Sequence, residues 1–238
     1  MKKGGFYVKI RVMKKYFIFV PGCQMNRSDA ERVNAILSGF GLKPSLEKEA
    51  DLIVAVACSV RQSAVDRIYG LSRKWKKRKV KTILTGCVLP PDRKKLEKSF
   101  DHILKIEEIG KLGKLLGLNK GIVHGPHSDF KPNSSFSALV PIMTGCNNFC
   151  SYCVVPYVRG REVSRKAGEI VRECRELIKK GCKEIILLGQ NVNSFLSGSL
   201  DFPDLLKKVD GIEGDFWIRF ATSHPKDFSS KLINVIAK

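Results

Sequence analysis

The chain has 238 residues, of which 43% are hydrophobic, and this content excludes a wholly disordered protein. No apolar run approaches the roughly 18 residues that a membrane-spanning helix needs, so we expect no membrane partner. Lysine and arginine number 43 against 23 acidic residues, and the resulting net charge of +20 favours a polyanionic partner, nucleic acid first. A lysine-rich, solvated surface is the alternative interpretation.

The first part of the chain alternates short apolar runs with amphipathic stretches. Ser28 and, three residues later, Glu31 have the spacing of a capping box, so we expect the first helix to begin there and to end at Gly39 and Gly41. The alternation predicts an α/β domain with a doubly wound parallel sheet. Its predicted strands are 16–20, 51–57, 80–85 and 102–106, and its later helices are 62–77 and 107–116.

Residues 119–137 contain clustered glycine, proline, serine and asparagine, and they predict a linker. We therefore expect a first domain at 14–120, a linker at 121–137 and a second domain at 138–238, with Met13 as an alternative start. Three β/α units follow the linker, and three units do not close a barrel, so the second domain is predicted to be an incomplete β/α barrel. Its predicted strands are 138–144, 184–188 and 216–221, and its helices are 166–180, 202–209 and 227–237.

Eight cysteines without a visible secretory signal indicate a reducing compartment, and we expect a cytoplasmic protein whose clustered cysteines bind metal. Cys146, Cys150 and Cys153 lie on one loop after the predicted strand 138–144. Three close thiolates can bind three irons of a four-iron cluster and leave the fourth iron open. Zinc is the competing interpretation. A structural zinc site needs four ligands, however, and this loop offers no fourth Cys or His.

Three further cysteines follow the first three predicted strands. Cys23, Cys58 and Cys87 should therefore meet at the carboxyl edge of a parallel sheet, where such sheets bind ligands. This placement predicts a second site with three thiolates, against the alternative of three unrelated buried thiols. Cys174 and Cys182 are interpreted as core residues, because they fall on an apolar helix face and before a buried strand.

Residues 145–165, GCNNFCSYCVVPYVRGREVSR, closely resemble radical S-adenosylmethionine methylthiotransferases of the MiaB type, which modify isopentenylated adenosine next to the tRNA anticodon. The resemblance extends from about residue 14 to the end of the chain. Val56, Ala57 and Gln62 depart from the Asn, Thr and Glu that are usual in the family. The family has a six-unit partial barrel and a C-terminal β-domain called TRAM, so the chain resembles a C-terminally truncated member without TRAM. Further matches are GCQMN at 22–26, CSVR at 58–61, TGCV at 85–88, LGQNVNS at 188–194 and RFATSHP at 219–225.

The resemblance implies two 4Fe-4S clusters and S-adenosylmethionine as cofactors. Cys146, Cys150 and Cys153 would hold the cluster whose open iron binds S-adenosylmethionine, and one electron would then release a 5′-deoxyadenosyl radical. The remaining triad, Cys23, Cys58 and Cys87, would hold an auxiliary cluster that carries the inserted sulfur. The implied reaction is transfer of a methylthio group to carbon 2 of N6-isopentenyladenosine at position 37 of tRNA. The implied partners are tRNA, a flavodoxin- or ferredoxin-type electron donor and a sulfur donor.

The remaining candidate residues are expected to contact cofactor or RNA. Tyr152, inside the cysteine loop, is a cofactor candidate, with loop packing as the alternative. His224 ends the third predicted strand of the second domain, and its alternative role is to cap the following turn. For RNA, Arg159 and Arg161 follow the loop, and the basic run 73–79 could track phosphates unless it is a solvated helix end. Trp75, within that run, either stacks on RNA or anchors the helix. The other cofactor candidates are Gly189, Gln190, Asn191 and Ser223, and the candidates in the basic run are Arg73, Lys74, Lys76 and Lys77.

Three other functions remain open. One is a methylthiotransferase that acts on threonylcarbamoyl-modified adenosine in tRNA or on a ribosomal protein, although the QNVNS and GCQMN segments favour the isopentenyl branch. Another is an inactive fragment that binds clusters without turnover. The last is a zinc-stabilised RNA-binding module, which would contain no acid-labile sulfide.

Overall fold

The computed structural model describes residues 13–118 and 136–237, so the predicted linker 121–137 lies almost wholly outside the described residues. The first part is a sheet of strands that alternate with helices. Its elements are β1 (Lys15–Phe19), α1 (Gln24–Gly39), β2 (Lys43–Pro44), β3 (Leu52–Ala57), α2 (Gln62–Lys77), β4 (Lys81–Gly86), α3 (Pro90–Leu96), β5 (His102–Ile103) and α4 (Leu112–Leu115), with 3-10 helices at Glu47–Glu49 and Ile106–Lys111.

The five strands form one sheet in the order β2-β1-β3-β4-β5, and every pairing in it is parallel. Every residue of the central strand β3 is buried, as its continuous apolar sequence requires of a strand with both faces covered. The predicted parallel α/β sheet is confirmed. The predicted fourth strand is shorter than expected, because only His102 and Ile103 pair with β4.

Helices cover both faces of this sheet, which makes it doubly wound. On one face, Val33 and Leu37 of α1 pack with Leu112 of α4. On the other face, Trp75 of α2 is fully buried, packs edge-on against Phe100, and donates its indole N–H to Glu47. Trp75 is therefore the anchor of its helix, and the alternative of stacking on RNA does not fit its position.

The first helix begins earlier than the sequence pattern predicted. Cys23 is its N-cap, and the Asn26 side chain accepts the Cys23 backbone N–H at 3.3 Å. The capping box expected at Ser28 and Glu31 is wrong, because both residues lie inside α1 and are buried. The earlier start places the first cysteine directly at the helix N-terminus.

The second part has a smaller sheet in the order β12-β9-β6, again with parallel pairings. It contains the three β/α units that were expected. The sequence did not predict two short antiparallel strand pairs, which are β7 with β8 and β10 with β11. The elements are β6 (Ser137–Pro141), β7 (Met143–Thr144), α5 (Val155–Arg159), β8 (Val163–Ser164), α6 (Ala167–Lys179), β9 (Glu184–Leu188), β10 (Leu196–Ser197), β11 (Leu200–Asp201), α7 (Phe202–Asp210), β12 (Trp217–Ala221) and α8 (Ser230–Ile236).

The two parts meet along the first helix. Helix α1 lies against β6, and Met25 packs with Ile186 and Leu188 of β9. This contact brings the start of α1, and with it Cys23, toward the second sheet. No helix in the described ranges is long and apolar enough to cross a membrane.

Candidate functional site

The first cysteine triad lies at one edge of the larger sheet. Cys58 directly follows β3, Cys87 directly follows β4, and Cys23 follows β1 after a short turn. The side chain of Asn26 connects two of them: its amide contacts the Cys87 sulfur at 3.8 Å, and its oxygen accepts from the Cys23 thiol at 3.4 Å. The same amide donates to the Ala57 carbonyl at 3.0 Å. Asn26 thus touches two of the three thiols, and its bond to the Ala57 carbonyl lies one residue before the third, Cys58.

The backbone at Cys87 is tightly held. Gly86 has a φ of +89°, and a Cβ there would lie 2.7 Å from the Ala57 carbonyl oxygen, so only glycine fits between β3 and β4. The Ser59 hydroxyl donates to the Cys87 carbonyl at 2.8 Å. Burial raises the pKa of the Cys87 thiol, and the charge of Arg159 opposes this rise. Of the three thiols, Cys23 alone is exposed.

The second triad sits on a loop that the β7–β8 pair closes. The Cys146 N–H donates to the Gly160 carbonyl at 3.2 Å, and the Cys153 N–H donates to the Cys150 carbonyl at 2.9 Å. Gly145 has a φ of +76°, and a Cβ there would overlap the Arg161 carbonyl. These contacts hold the start of the loop, at Gly145 and Cys146, against its end at Gly160 and Arg161.

All eight cysteines are free thiols, and Cys174 and Cys182 are core residues as expected. Within residues 13–118 and 136–237, no three Cys, His, Asp or Glu side chains converge closely enough to hold one metal ion. A zinc ion needs its ligands at about 2.0–2.3 Å from one centre, whereas the thiolates of a cluster bind separate irons.

The end of β9 carries buried polar atoms that lack protein partners. Asn191 is buried and donates to Asp227 at 2.6 Å, but its Oδ1 has no hydrogen-bond partner among the described residues, and neither has Gln190 Oε1. Gly189 is enclosed, because a Cβ there would lie 2.7 Å from the Met143 side chain. A buried polar atom without a protein partner needs a donor from elsewhere, such as an ordered water or a bound molecule.

The other predicted cofactor contacts lie around the cysteine loop. Tyr152 is 85% exposed, and its hydrogen bond to Cys150 raises the pKa of its phenol. Ser223 is exposed after β12. The next residue, His224, caps the following turn by accepting the Lys226 N–H at Nδ1, as the sequence suggested, and its other ring nitrogen also reaches the cysteine loop.

Arg159 does not lie where an RNA-binding side chain must lie. It is buried, pairs with Asp29 of α1 at 2.5 Å, and donates its Nε–H to the Cys87 sulfur at 3.0 Å. Burial alone would lower its pKa, but Asp29 and Cys87 raise the pKa above its ordinary value. Nothing in the local sequence signals this contact, because Asp29 precedes Arg159 by 130 residues. RNA phosphates do not reach a side chain so enclosed.

The remaining basic candidates are exposed. Arg161 lies over the ring of Phe149 at 4.4 Å, beside the cysteine loop. In α2, Lys74 pairs with Glu47 at 3.2 Å, and Lys76 donates to the Lys98 carbonyl. The other two residues of the run, Arg73 and Lys77, are exposed on the same helix.

Two family models match the chain. The uncharacterized protein family UPF0004 matches residues 15–106, and the radical SAM superfamily matches residues 140–237. Curated relatives named tRNA-2-methylthio-N(6)-dimethylallyladenosine synthase are 42% identical in Dictyoglomus thermophilum and 43% identical in Syntrophomonas wolfei. Each alignment covers 94% of this chain and 56% of the relative, so the chain spans about half of their length.

A solved structure shares the fold. It is the radical S-adenosylmethionine methyltransferase TsrM from Kitasatospora setae, with cobalamin and a [4Fe-4S] cluster bound. The TM-score is 0.65 at 11% identity, and the match covers 94% of this chain and 59% of that chain. At this identity the likeness concerns the fold alone, and it extends over both sheets.

Proposed function

Because this chain belongs to the radical S-adenosylmethionine methylthiotransferase family, we propose that it acts in adding a methylthio group to carbon 2 of N6-isopentenyladenosine at position 37 of tRNA. The corresponding activity is tRNA-2-methylthio-N6-dimethylallyladenosine synthase, the name that the curated relatives carry. One observation carries the proposal: two cysteine triads lie at the carboxyl edges of two parallel sheets that α1 joins.

Radical SAM proteins use S-adenosylmethionine and a 4Fe-4S cluster, which Cys146, Cys150 and Cys153 are proposed to hold. The finer proposal is a second, auxiliary cluster on Cys23, Cys58 and Cys87. When bound, these groups supply a carbon-centred radical and the sulfur that is inserted. A radical is needed because an unactivated aromatic C–H bond has no proton that a side-chain base could remove.

The residues around the triads have positioning roles in this proposal. Gly145 and the β7–β8 pair fix the cysteine loop. Asp227 holds the Asn191 amide, which leaves the Asn191 oxygen free for a donor of the methionine cofactor. Gln190 Oε1 offers a second acceptor at the same strand end.

The proposed macromolecular partner is tRNA, in keeping with the net charge of +20 and the names of the relatives. Arg161 lies beside the cysteine loop and would meet the modified nucleotide, while Arg73 and Lys77 would meet phosphates farther away. An electron donor of the flavodoxin or ferredoxin type and a sulfur donor are part of the proposal. The proposed location is the cytoplasm, where free thiols stay reduced.

The first test is the iron and sulfide content after anaerobic reconstitution. We expect about eight irons, falling to about four when Cys146, Cys150 and Cys153 are replaced by alanine. A control variant with Cys174 and Cys182 replaced by alanine should keep all of the roughly eight irons. Zinc without sulfide would instead identify an RNA-binding module, and about four irons falling to none would leave the first triad without a cluster.

The second test concerns turnover and substrate. Formation of 5′-deoxyadenosine by this chain would exclude an inactive fragment, and mass spectrometry of tRNA nucleosides would detect the methylthio group. We expect modification of tRNA that carries isopentenyladenosine and none of tRNA that carries unmodified adenosine. Modification of threonylcarbamoyladenosine instead would place the chain in the other branch.

A further inference from the structure

Arg159 joins the two cysteine sites. It ends α5, shortly after Cys153 in the second part of the chain, yet its guanidinium lies against two residues of the first part. One arm pairs with Asp29 of α1, and Nε–H donates to the Cys87 sulfur at 3.0 Å. The Arg159 side chain is 3% exposed and the Asp29 side chain 4%, so the bonds are shielded from water.

The guanidinium geometry makes the two contacts interdependent. The donors of arginine form a rigid planar fork, so fixing one arm on Asp29 also fixes the direction of Nε–H. Asn26 approaches the same sulfur from α1 at 3.8 Å, a longer and weaker contact. The contact from Arg159 is therefore the shorter of the two N–H contacts to the Cys87 sulfur. It comes from the part of the chain that holds the other cysteine triad.

We propose that Arg159 is a positioning residue for the auxiliary cluster: its N–H···S bond to Cys87 sets the orientation of that ligand and raises the reduction potential of the cluster. The inference rests on the proposed function, since it requires a cluster on Cys23, Cys58 and Cys87. Hydrogen bonds to a ligating sulfur stabilise the reduced, more negative state and so raise the potential. Asp29 holds the guanidinium in place for this bond.

A salt bridge between Asp29 and Arg159 without the N–H···S bond is a neutral pair, so removal of both charges together would leave the potential near its parental value. This difference is the basis of the test. The auxiliary cluster is studied in the full chain with Cys146, Cys150 and Cys153 replaced by alanine, so that one cluster titrates. In this background, Arg159→Gln removes the charge, and Arg159→Lys keeps the charge but loses the fork. We expect the midpoint potential, followed by electron paramagnetic resonance, to fall in Arg159→Gln and to recover in part in Arg159→Lys.

The expected fall corresponds to a roughly tenfold change in the ratio of reduced to oxidised cluster at a fixed potential, or about 59 mV for one electron. Arg172→Gln, an exposed arginine on α6, is the matched control and should keep the parental potential. Because Arg159→Gln leaves the Asp29 carboxylate buried and unpaired, the single variant could fail to fold. The double variant Asp29→Asn/Arg159→Gln removes both charges together and should still show the fall, since Arg159 is the group that touches the sulfur.

The outcomes separate the two proposals. Folded, iron-loaded Asp29→Asn/Arg159→Gln with the parental potential overturns the role of Arg159 and leaves the proposed function standing. A background variant that binds no iron overturns the auxiliary cluster itself, and the role of Arg159 with it. A fall in potential that Arg159→Lys partly restores supports both.

Discussion

His224 Nε2 lies 3.8 Å from the sulfur of Cys150, across 74 residues of sequence. The ring is oriented by its other nitrogen, because Nδ1 accepts the backbone N–H of Lys226 at 3.3 Å. In the neutral ring, an accepting Nδ1 leaves the proton on Nε2, so the nitrogen that faces Cys150 is a donor. The residue that caps a turn after β12 thereby also touches the cysteine loop.

Loss of the His224 donor should make the cluster proposed on Cys146, Cys150 and Cys153 harder to reduce. We expect His224→Ala to bind iron normally but to form 5′-deoxyadenosine more slowly when reductant is limiting, because a weaker N–H···S contact lowers the cluster potential. Lys226→Ala keeps the backbone N–H and serves as the control. Equal rates for His224→Ala and the parent across reductant concentrations would contradict this role.

Gly145→Ala should disrupt the cysteine loop. The added Cβ would overlap the Arg161 carbonyl, and the φ of +76° is strained for alanine, at a cost of about 1–3 kcal/mol in the free energy of unfolding. We expect loss of the iron at Cys146, Cys150 and Cys153 with retention of the auxiliary cluster. Gly168→Ala, in α6 with open space around it, should be neutral or stabilising. Full iron content in Gly145→Ala would show that the loop adapts.

Asn191→Ala should weaken cofactor binding more than it weakens the fold. Its unpartnered Oδ1 is a proposed acceptor, and loss of one such bond corresponds to roughly a tenfold rise in the dissociation constant of S-adenosylmethionine, about 1.4 kcal/mol. Equilibrium dialysis of the iron-loaded protein measures it. Ser229→Ala, which removes the N-cap of α8, should lower stability without changing this affinity. Unchanged affinity in Asn191→Ala would remove Asn191 from the cofactor site.

The exposed basic residues of α2 should contribute to tRNA affinity without sequence preference. Replacing Arg73 and Lys77 together by alanine should weaken binding and reduce the slope of log affinity against log salt by about 1.4–1.8, as expected for two lost phosphate contacts. Filter binding across a salt series measures the slope. Arg172 and Arg175 on α6 form the matched control pair. If both pairs behave alike, the run is a solvated helix end.

Alkaline pH should destabilise the metal-free protein partly through Cys174. Burial raises the pKa of this thiol to about 12 from an ordinary value of 9.0. Between these values the unfolded chain loses the proton and the folded chain keeps it, so the free energy of unfolding falls as pH rises, on the order of 1 kcal/mol per pH unit. Urea unfolding should therefore show that the free energy of unfolding declines less steeply from pH 8 to 11 in Cys174→Ala than in the parent. Parallel declines would mean that the thiol titrates normally in the fold.

Most of the fold could be predicted because its signals are local. Helix α2 has the predicted bounds Gln62–Lys77, and β9 has the predicted bounds Glu184–Leu188, since apolar periodicity and strand length determine both. The predicted strand 138–144 divides into β6 and β7, because Met143 and Thr144 leave the parallel sheet to pair with β8. The pairing of β7 with β8 depends on the conformation of the cysteine loop between them. The apolar periodicity of the sequence does not predict that conformation.

The candidate site was predictable in part for the same reason. The six cysteines follow strands that the apolar pattern identifies. Their position at the carboxyl edge of a sheet therefore follows from parallel topology. Arg159 differs, because its position after the cysteine loop favoured RNA contact, whereas its partners Asp29 and Cys87 lie in the first part of the chain. A contact between distant segments has no signature in a single sequence, and only the docking of α1 on the second sheet brings these residues together.

The buried pair of Asp29 and Arg159 also limits how the halves of this chain can be exchanged. A chimera that takes residues up to 118 from this chain and the later part from a relative must carry a cation at the position of Arg159. Without it, Asp29 would be buried and unpaired, at a cost of about 3–5 kcal/mol, a large share of the roughly 5–15 kcal/mol that stabilises a domain. Recombination between residues 118 and 136 is therefore tolerated only between parents that match at both positions, so the two parts should be inherited as one unit.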